Sequence, residues 1–281
     1  MLAEQLREFE FTDRDFAFLR DLVGMHTGIT LGEHKRQLVY GRLARRLRQL
    51  ELGTFAEYCD YVENHHESEL SELVNAITTN LTAFFRENHH FEHLAREALP
   101  DILARNARTR RLRIWSAGCS TGEEPYSIAM TLLEAAPDLA GWDVRILATD
   151  IDSQVLAKAE SGVYADDRVK DMDPARLRRW FRQGSGPQAG KVKVGERLQQ
   201  LIAFRQLNLM QPWPMQGPFD IIFCRNVVIY FDKDTQKQLF NRYADILAPQ
   251  GYLYVGHSES LYKTSERFRL IGRTIYQSGQ V

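Results

Sequence analysis

The chain reads as an all-α domain followed by an α/β domain, a doubly wound, mostly parallel sheet carrying a small antiparallel excursion. Three observations predict this. Up to about residue 79 apolar residues recur at helical spacing without a strand signal; from residue 112 short apolar runs alternate with amphipathic helices. Between 112 and 130 a strand, a glycine turn and a helix start follow one another directly. The expected boundaries are 1–79 for the helical domain, 80–111 for a connecting segment and helix, and 112–281 for the sheet domain, with the antiparallel subdomain at about 184–207.

Bulk properties narrow the class. The 281 residues suffice for two domains with a real core. Lys+Arg 36 against Asp+Glu 37 leaves a net charge of -1, so no global basic field points to nucleic acid. Hydrophobic residues at 44% and charged residues at 26% are ordinary for a soluble globular protein. Cys59, Cys119 and Cys224 are odd in number and lack a CxxC pair, which argues against a disulfide framework or a zinc site. Neither a signal-peptide pattern nor a membrane-length apolar run is present, so a cytoplasmic protein without direct membrane insertion is expected.

Residues 1–10 read as a loose lead-in. Thr12, with Asp15 three later, starts a helix bearing Phe16, Leu19, Leu22 and Val23, and Gly28 ends it. A second helix, about 33–50, has an apolar stripe of Val39, Leu43, Leu47 and Leu50. Its other faces carry Lys35, Arg36, Arg42, Arg45, Arg46 and Arg48, with no acid between Glu33 and Glu51. Such a run is either a solvated face or a dock for an acidic partner. Thr54 with Glu57 opens a third helix (Phe55, Tyr58, Val62), and a fourth from about Ser68 buries Leu70, Leu73, Val74 and Ile77. Residues 80–86 form an odd piece, aromatic in the middle, before a helix holding His89 and His90. That pair, beside Glu92 and His93, lacks a second ligand cluster, so no metal is expected. Arg105, Arg108, Arg110 and Arg111 connect to the central strand.

In the central stretch Leu112, Ile114 and Trp115 make the strand, and Gly118 and Gly122 let the backbone turn close to a ligand. Ser120 with Glu123 and Thr121 with Glu124 give a doubled capping-box signal, and Pro125 is tolerated in the first turn. The glycine spacing is not that of a dinucleotide site, and two carboxylates at a helix mouth repel a pyrophosphate. They suit a positively charged ligand such as S-adenosylmethionine, with its sulfonium and amino group. Two nucleophile readings compete. Residues 118–122 match the G-x-S-x-G elbow, with Asp220 or Asp232 and then His257 in hydrolase order, yet the upstream strands of that fold are missing. A thiol nucleophile at Cys119 lacks a nearby base, and a ligand-free glycine turn is the plain alternative.

Asp150 ends the second strand, 144–148 and its tip, 32 residues after Gly118, where a carboxylate accepts both hydroxyls of an adenosine ribose. A capping role is the alternative, but Ser153 is better placed to cap the helix of Val155, Leu156 and Ala159. Asp173-Pro174 starts another helix with Leu177, Trp180 and Phe181. Gly184-Ser-Gly-Pro187 and Gly190 break the rhythm, and 191–194 with 201–207 read as the antiparallel excursion. Asn208-Leu209 closes a strand and Pro212-Trp-Pro214 is a loop. Residues 219–226 form a buried strand with polar residues at its end; a helix with Leu239, Phe240, Tyr243, Ile246 and Leu247, a strand at 252–255 and a hairpin about Gly272 complete the chain.

Four strings carry a family resemblance: 78–87 (Thr-Thr-Asn-Leu-Thr-Ala-Phe-Phe-Arg-Glu), 115–127 (Trp-Ser-Ala-Gly-Cys-Ser-Thr-Gly-Glu-Glu-Pro-Tyr-Ser), 223–232 (Phe-Cys-Arg-Asn-Val-Val-Ile-Tyr-Phe-Asp) and Gly256-His-Ser-Glu259. They are similar to the signatures of the CheR-type chemoreceptor glutamate methyltransferases. The resemblance implies a Rossmann-like class I methyltransferase domain with a β-subdomain behind an all-α domain. It implies S-adenosylmethionine as cofactor, S-adenosylhomocysteine as product, and glutamate side chains of chemoreceptors as substrate. Carried over residue by residue, Asn80, Thr82, Arg86, Glu124, Asp150, Asn208, Leu209, Arg225 and Asn226 form the cofactor shell. Arg86 and Tyr230 stand beside the methyl group; Arg42, Arg45 and Arg46 dock the receptor, and Gly184 and Gly186 belong to a subdomain that tethers a short receptor C-terminal peptide. A monomer is expected, with neither metal nor nucleic acid. Gly118 and Cys119 stand where some members have alanines, and Ser120 then belongs to a cofactor loop. The rivals are a nucleic-acid methyltransferase and a non-catalytic cofactor sensor.

Overall fold

Thr12 opens the first helix by reciprocal capping: its hydroxyl accepts the Asp15 N–H at 3.2 Å and the Asp15 carboxylate accepts the Thr12 N–H at 2.8 Å. The computed structural model describes residues 8–279, the side chains of 138 and 140 excepted; most of the lead-in expected over 1–10 lies outside them. The chain divides into two compact units, one of residues up to Thr79 together with Tyr230–Asp232, the other of Asn80–Ile229 and Lys233 onward.

In the first unit, helix α1 (Asp13–Thr27) ends at Gly28, whose left-handed φ of 73° lets its N–H reach the Gly24 carbonyl at 2.8 Å. A 3-10 turn (Glu33–Lys35) leads into α2 (Arg36–Gln49); α3 (Phe55–Asn64) is capped by Thr54, and α4 (His66–Ile77) follows. Phe16, Leu19, Val39, Leu43, Leu47, Phe55, Tyr58 and Leu73 make the core. The Tyr230 carbonyl accepts the Thr30 N–H at 2.8 Å, and the Lys35 ammonium lies 5.5 Å from the Tyr230 ring centroid.

Most cations of the basic run, expected to be a solvated face or a dock, have acids or carbonyls far along the chain as partners. Arg36 pairs with Asp13 and Arg48 with Glu8. Arg46 forks onto Glu69 at 2.9 and 2.6 Å, and the Tyr58 hydroxyl donates to the same carboxylate at 2.9 Å. Arg42 donates to the last carbonyls of α4, Ile77 and Thr78, and to the Thr79 hydroxyl at 2.8 Å. Arg45 remains exposed.

The second unit begins with α5 (His89–His93), a π turn (Leu94–Ala98) and α6 (Leu99–Arg105). Pro100, with no N–H to give four residues back, follows that widened turn. The remaining elements run β1 (Arg111–Ala117), α7 (Glu123–Ala135), β2 (Asp143–Asp150), α8 (Ser153–Ser161), β3 (Val163–Ala165), α9 (Pro174–Trp180), β4 (Phe181–Gln183) and β5 (Lys191–Val194). Then come α10 (Glu196–Gln199), β6 (Ile202–Gln206), β7 (Phe219–Cys224), α11 (Lys233–Ile246), β8 (Leu247–Val255), β9 (Phe268–Gly272) and β10 (Ile275–Ser278). The main sheet is ordered β6-β2-β1-β7-β8-β10-β9, parallel from β6 to β8 and antiparallel beyond. Ile114 faces Ile146 on one side and Ile221 on the other, and all six residues of β7 are buried, as both faces of a covered parallel sheet require.

Three expectations change. The antiparallel subdomain is a three-stranded sheet, β3-β5-β4, spanning 163–194, and the strand expected within it at 201–207 instead joins the main sheet as parallel edge strand β6. Its β3 and β4 are three residues each, too short for a period, and β6 buries only Phe204 deeply, as an edge strand does. The doubled capping box does not form: α7 starts from Gly122 without a side-chain cap, while the Thr121 hydroxyl turns to Glu123 at 2.6 Å. Asp152, not Ser153, caps α8, its carboxylate accepting the Gln154 and Val155 N–H groups at 2.9 and 3.2 Å.

The inward arginine yields a stability prediction. Arg46→Ala leaves the Glu69 carboxylate, 2% exposed, without its cation. Urea unfolding of the variant is expected to show a loss of about 3 kcal/mol, the lower end for breaking a buried pair since Arg46 keeps some exposure. A surface arginine changed to alanine costs under about 1 kcal/mol.

Candidate active site

The carboxyl ends of β6, β2, β1 and β7 lie along one edge of the sheet, and the chain reverses its direction of winding between β1 and β7. Open α/β sheets bind ligands at such a switch. The turn after β1 is fixed there: the Gly118 and Cys119 N–H groups both donate to the Thr149 carbonyl, at 2.8 and 2.9 Å. Gly118 has a φ of 89°, and a Cβ on it would meet Val227 Cγ2 at 2.3 Å. Only glycine fits that crossing.

Asp150 sits at the tip of β2, buried, with Oδ2 accepting the Ser120 N–H at 2.8 Å and Oδ1 the Asp152 N–H at 3.0 Å. Burial pushes its pKa up to about 6, against the pull of these backbone donors. Asn80 donates to Asp152 at 2.7 Å, and its carbonyl accepts the Ser120 hydroxyl at 3.1 Å, so the 80s segment is pinned to both strand tips.

Glu124, in the first turn of α7, takes the Ser116 hydroxyl at 2.7 Å and Arg225 Nη1 at 3.1 Å. Burial raises its pKa, with Arg225 opposing. The Arg225 side chain is 2% exposed; it also donates to the Arg86 carbonyl, lies 3.6 Å from Glu87, and stacks 5.6 Å over the Phe91 ring. Glu87 is held down to about 2: burial raises it, but the His257 hydrogen bond at 3.0 Å and the Arg225 charge prevail. Phe85 and Glu87 both adopt left-handed φ, 54° and 56°, on either side of Arg86, whose Nη1 donates to the Leu81 carbonyl at 2.7 Å. Two such non-glycine residues store strain of about 1–3 kcal/mol each, a mark of functional segments.

Thr82, Asn208, Leu209 and Asn226, also singled out by sequence, belong to the same unit as this edge. The Thr82 carbonyl accepts Arg168 at 2.7 Å, and Arg168 also pairs with buried Glu123. Asn208, just beyond β6, accepts the Met210 N–H at 2.9 Å; the Leu209 carbonyl takes Trp213 at 3.2 Å. Asn226 follows Arg225 with a left-handed φ of 59°. Tyr230, Arg42, Arg45 and Arg46 group with the helical unit. Gly184 and Gly186 lie between β4 and β5: a Cβ at Gly184 would strike the Gln188 carbonyl at 2.1 Å, whereas Gly186, φ 56°, faces open space.

The nucleophile readings fail on geometry. Asp220 accepts the Arg113 N–H at 2.8 Å and Asn106 at 2.9 Å, and His257 is paired with Glu87, so neither stands by Ser120 as a triad. Burial drives the Cys119 thiol far above its ordinary pKa. Glu87, His89 and His90 bring ligand atoms within 4.8 Å of one another, a grouping that a reading of the histidine pair alone misses. The Arg225 charge 3.6 Å from Glu87 opposes a cation there.

Sequence reasoning did not pair Glu87 with His257 or Arg168 with Glu123, which are distant in the chain, nor Ser116 with Glu124, eight residues on. The chemistry of these groups suits an S-adenosyl compound: carboxylates such as Asp150 and Glu124 accept from hydroxyl or ammonium groups, and buried Arg225 retains an Nε without a hydrogen-bond partner among the described residues.

The comparisons agree with this architecture. Residues 14–78 match the family model described as CheR methyltransferase, all-alpha domain, and 80–277 the one described as CheR methyltransferase, SAM binding domain. Chemotaxis protein methyltransferase 2 of Pseudomonas aeruginosa is 50% identical over 274 residues, 96% of this chain and 95% of its own length. The chemotaxis protein methyltransferase of Escherichia coli is 43% identical, covering 98% and 94%. A probable chemotaxis protein methyltransferase of Rhizobium etli is 46% identical, covering 89% and 94%. With both domains matched in order and over nearly the full length, this chain belongs to the CheR methyltransferase family.

Proposed function

We propose that this chain, an S-adenosylmethionine-dependent methyltransferase of chemotaxis, esterifies glutamate side chains of chemoreceptor cytoplasmic domains, and that the strand-tip residues hold its cofactor. The observation carrying the site is Asp150: a buried carboxylate at the tip of β2, beside the glycine turn, with lone pairs left beyond its two backbone bonds. In this reading Asp150 accepts the ribose hydroxyls. Asn80, Thr82, Asn208 and Leu209 line the nucleoside, while Glu124, Arg225, Asn226 and Arg86 meet the methionyl end.

S-adenosylmethionine supplies the methyl group. The receptor glutamate is already ionised near pH 7, so the protein need hold no general base. Its residues instead orient and desolvate: Arg86 and Tyr230 steady the incoming carboxylate beside the methyl, and Phe84 and Phe85 exclude water. Opposite charges cancel on transfer, so a drier site favours it. Among the three docking arginines, exposed Arg45 carries the receptor contact, while Arg42 and Arg46 shape the surface that presents it. The edge strand β4 of the subdomain leaves backbone groups free of a strand partner on one side, a geometry that takes up an extended peptide by strand addition. A receptor C-terminal tail bound there raises local enzyme concentration without altering the chemical step.

Three outcomes check this reading. Incubation with labelled S-adenosylmethionine and a receptor cytoplasmic fragment gives alkali-labile label on the receptor; label stable to alkali, or none, overturns the ester assignment. Asp150, with a pKa of about 6 before binding, must be ionised to accept the ribose hydroxyls, and binding lowers that pKa further. Calorimetric affinity for S-adenosylhomocysteine is therefore full above about pH 6 and falls below it, up to about tenfold per unit. In Asp150→Asn that slope disappears, and Asp150→Ala costs about 1.5–3 kcal/mol of binding. Gly186→Val, placing a β-branched side chain at a left-handed φ, abolishes binding of a receptor tail peptide and spares methylation of a tailless fragment. Equal peptide binding by the variant removes the tether.

A further inference from the structure

Glu259 stands outside every site described above, yet its carboxylate is 4% exposed and accepts four backbone N–H groups. Oε1 takes Val227 at 2.8 Å and Ile229 at 3.3 Å; Oε2 takes Asn226 at 2.9 Å and also Gly256. Three of these donors belong to the loop that begins where β7 stops at Cys224. Asn226 is left-handed there, so successive N–H groups turn inward and form a nest that an anion fills. The anion comes from the other side, from the loop after β8, and Gly256 makes the approach possible: a Cβ on it would lie 2.4 Å from Asn226 Nδ2. On the opposite flank Gln236 donates to the Val228 carbonyl at 2.9 Å. The loop thus has a fixed shape, set largely by one carboxylate, and it carries Arg225 and Asn226.

We infer that Glu259 is a positioning residue: its carboxylate holds the loop after β7 in the conformation that presents Arg225 and Asn226 to the cofactor. The inference rests on the reading that those two residues belong to the cofactor shell. Its physical basis is the number of acceptors. A carboxylate offers about four lone-pair sites to four donors, whereas an amide of the same shape offers one oxygen and turns an NH2 group toward donors. Glu259→Gln therefore leaves buried N–H groups unsatisfied and the loop free to leave its nest. Glu259→Asp keeps the charge but falls one methylene short.

The test uses the full chain, first without ligand. Hydrogen–deuterium exchange of Glu259→Gln and Glu259→Asp is expected to speed up by about tenfold or more at the amides of 226, 227 and 229, the loss of one buried hydrogen bond's worth of protection. Amides within β7 and β8 keep their wild-type rates. Calorimetry of the same folded proteins with S-adenosylhomocysteine shows a comparable loss of affinity. Unchanged loop exchange overturns the inference; so does faster exchange with wild-type affinity, which marks a structural tie only. Should Glu259→Gln not fold, Ile229→Pro removes one donor at the exposed end of the loop and is read by exchange at the amides of 226 and 227 and by the same calorimetry. Asn226→Ala separates the two levels. If it binds S-adenosylhomocysteine like the wild type, the shell assignment of Asn226 fails; if it binds weakly while Glu259→Gln binds normally, only the role of Glu259 fails.

Discussion

A single buried guanidinium, that of Arg225, joins the pieces of the site. It reaches Glu124 at the mouth of α7, the Arg86 carbonyl in the 80s segment, and the vicinity of Glu87, while its planar face covers Phe91. Those groups come from two separate stretches of chain, 86–91 and the start of α7, and a lysine, with a point charge and no fork, could not serve them together. A buried charge is tolerable only with its partners in place, so the arginine fixes the segments around it as much as they fix the arginine. Arg225 also follows directly on β7, the strand buried along its whole length, so its backbone is set by the sheet before its side chain acts.

The sheet in turn decides what can be near what. Parallel pairing of β6, β2, β1 and β7 puts the polar ends of strands from distant chain positions on one edge, and Gly118 lets the turn after β1 pass under Val227. Helices cover both faces of such a sheet, so a cluster of polar groups open to a ligand forms most readily where strands end. The segment at 80–87 lies against those ends through Asn80 and Ser120, and its left-handed residues at 85 and 87 aim Arg86 where regular backbone would not.

What the sequence disclosed and what it withheld follow from range. The capping of α1, the stop at Gly28, the buried strand β7 and the strand tip at Asp150 are each set by neighbours within a few residues, and each stands where the pattern put it. The misreadings share a cause as well. The six cations of 35–48 looked alike in sequence because the acids that answer three of them, Glu8, Asp13 and Glu69, are 23 or more residues away. Ile202–Gln206 looked like part of an excursion because an edge strand of a parallel sheet alternates as an antiparallel one does. Thr121 turned to the Glu123 side chain instead of capping, and at α8 the choice lay between two neighbouring residues, Asp152 and Ser153, that both make good caps. The motif strings supplied the proposed cofactor shell and contain Glu87 and His257, though not their pairing, whereas Arg168 had no local pattern to mark it.

The carboxylates of the site divide by what answers their charge. Glu87 shares a hydrogen bond with His257 at 3.0 Å, lies 3.6 Å from the Arg225 guanidinium, and stays ionised down to about pH 2. Asp150 has only backbone donors, and burial lifts it to about 6, near the point where it would take a proton. Glu124 lies between, raised by burial with Arg225 pulling the other way. A carboxylate whose charge already lies beside a cation gains less from a ligand's donors than one held close to protonation, which gains from each donor that arrives. The same burial that makes Asp150 costly in the free enzyme therefore makes it selective, since hydroxyl or ammonium groups reward it and another anion does not. Placed at the tip of β2, it puts the strongest demand for donors where the glycine turn leaves the backbone open to a ligand.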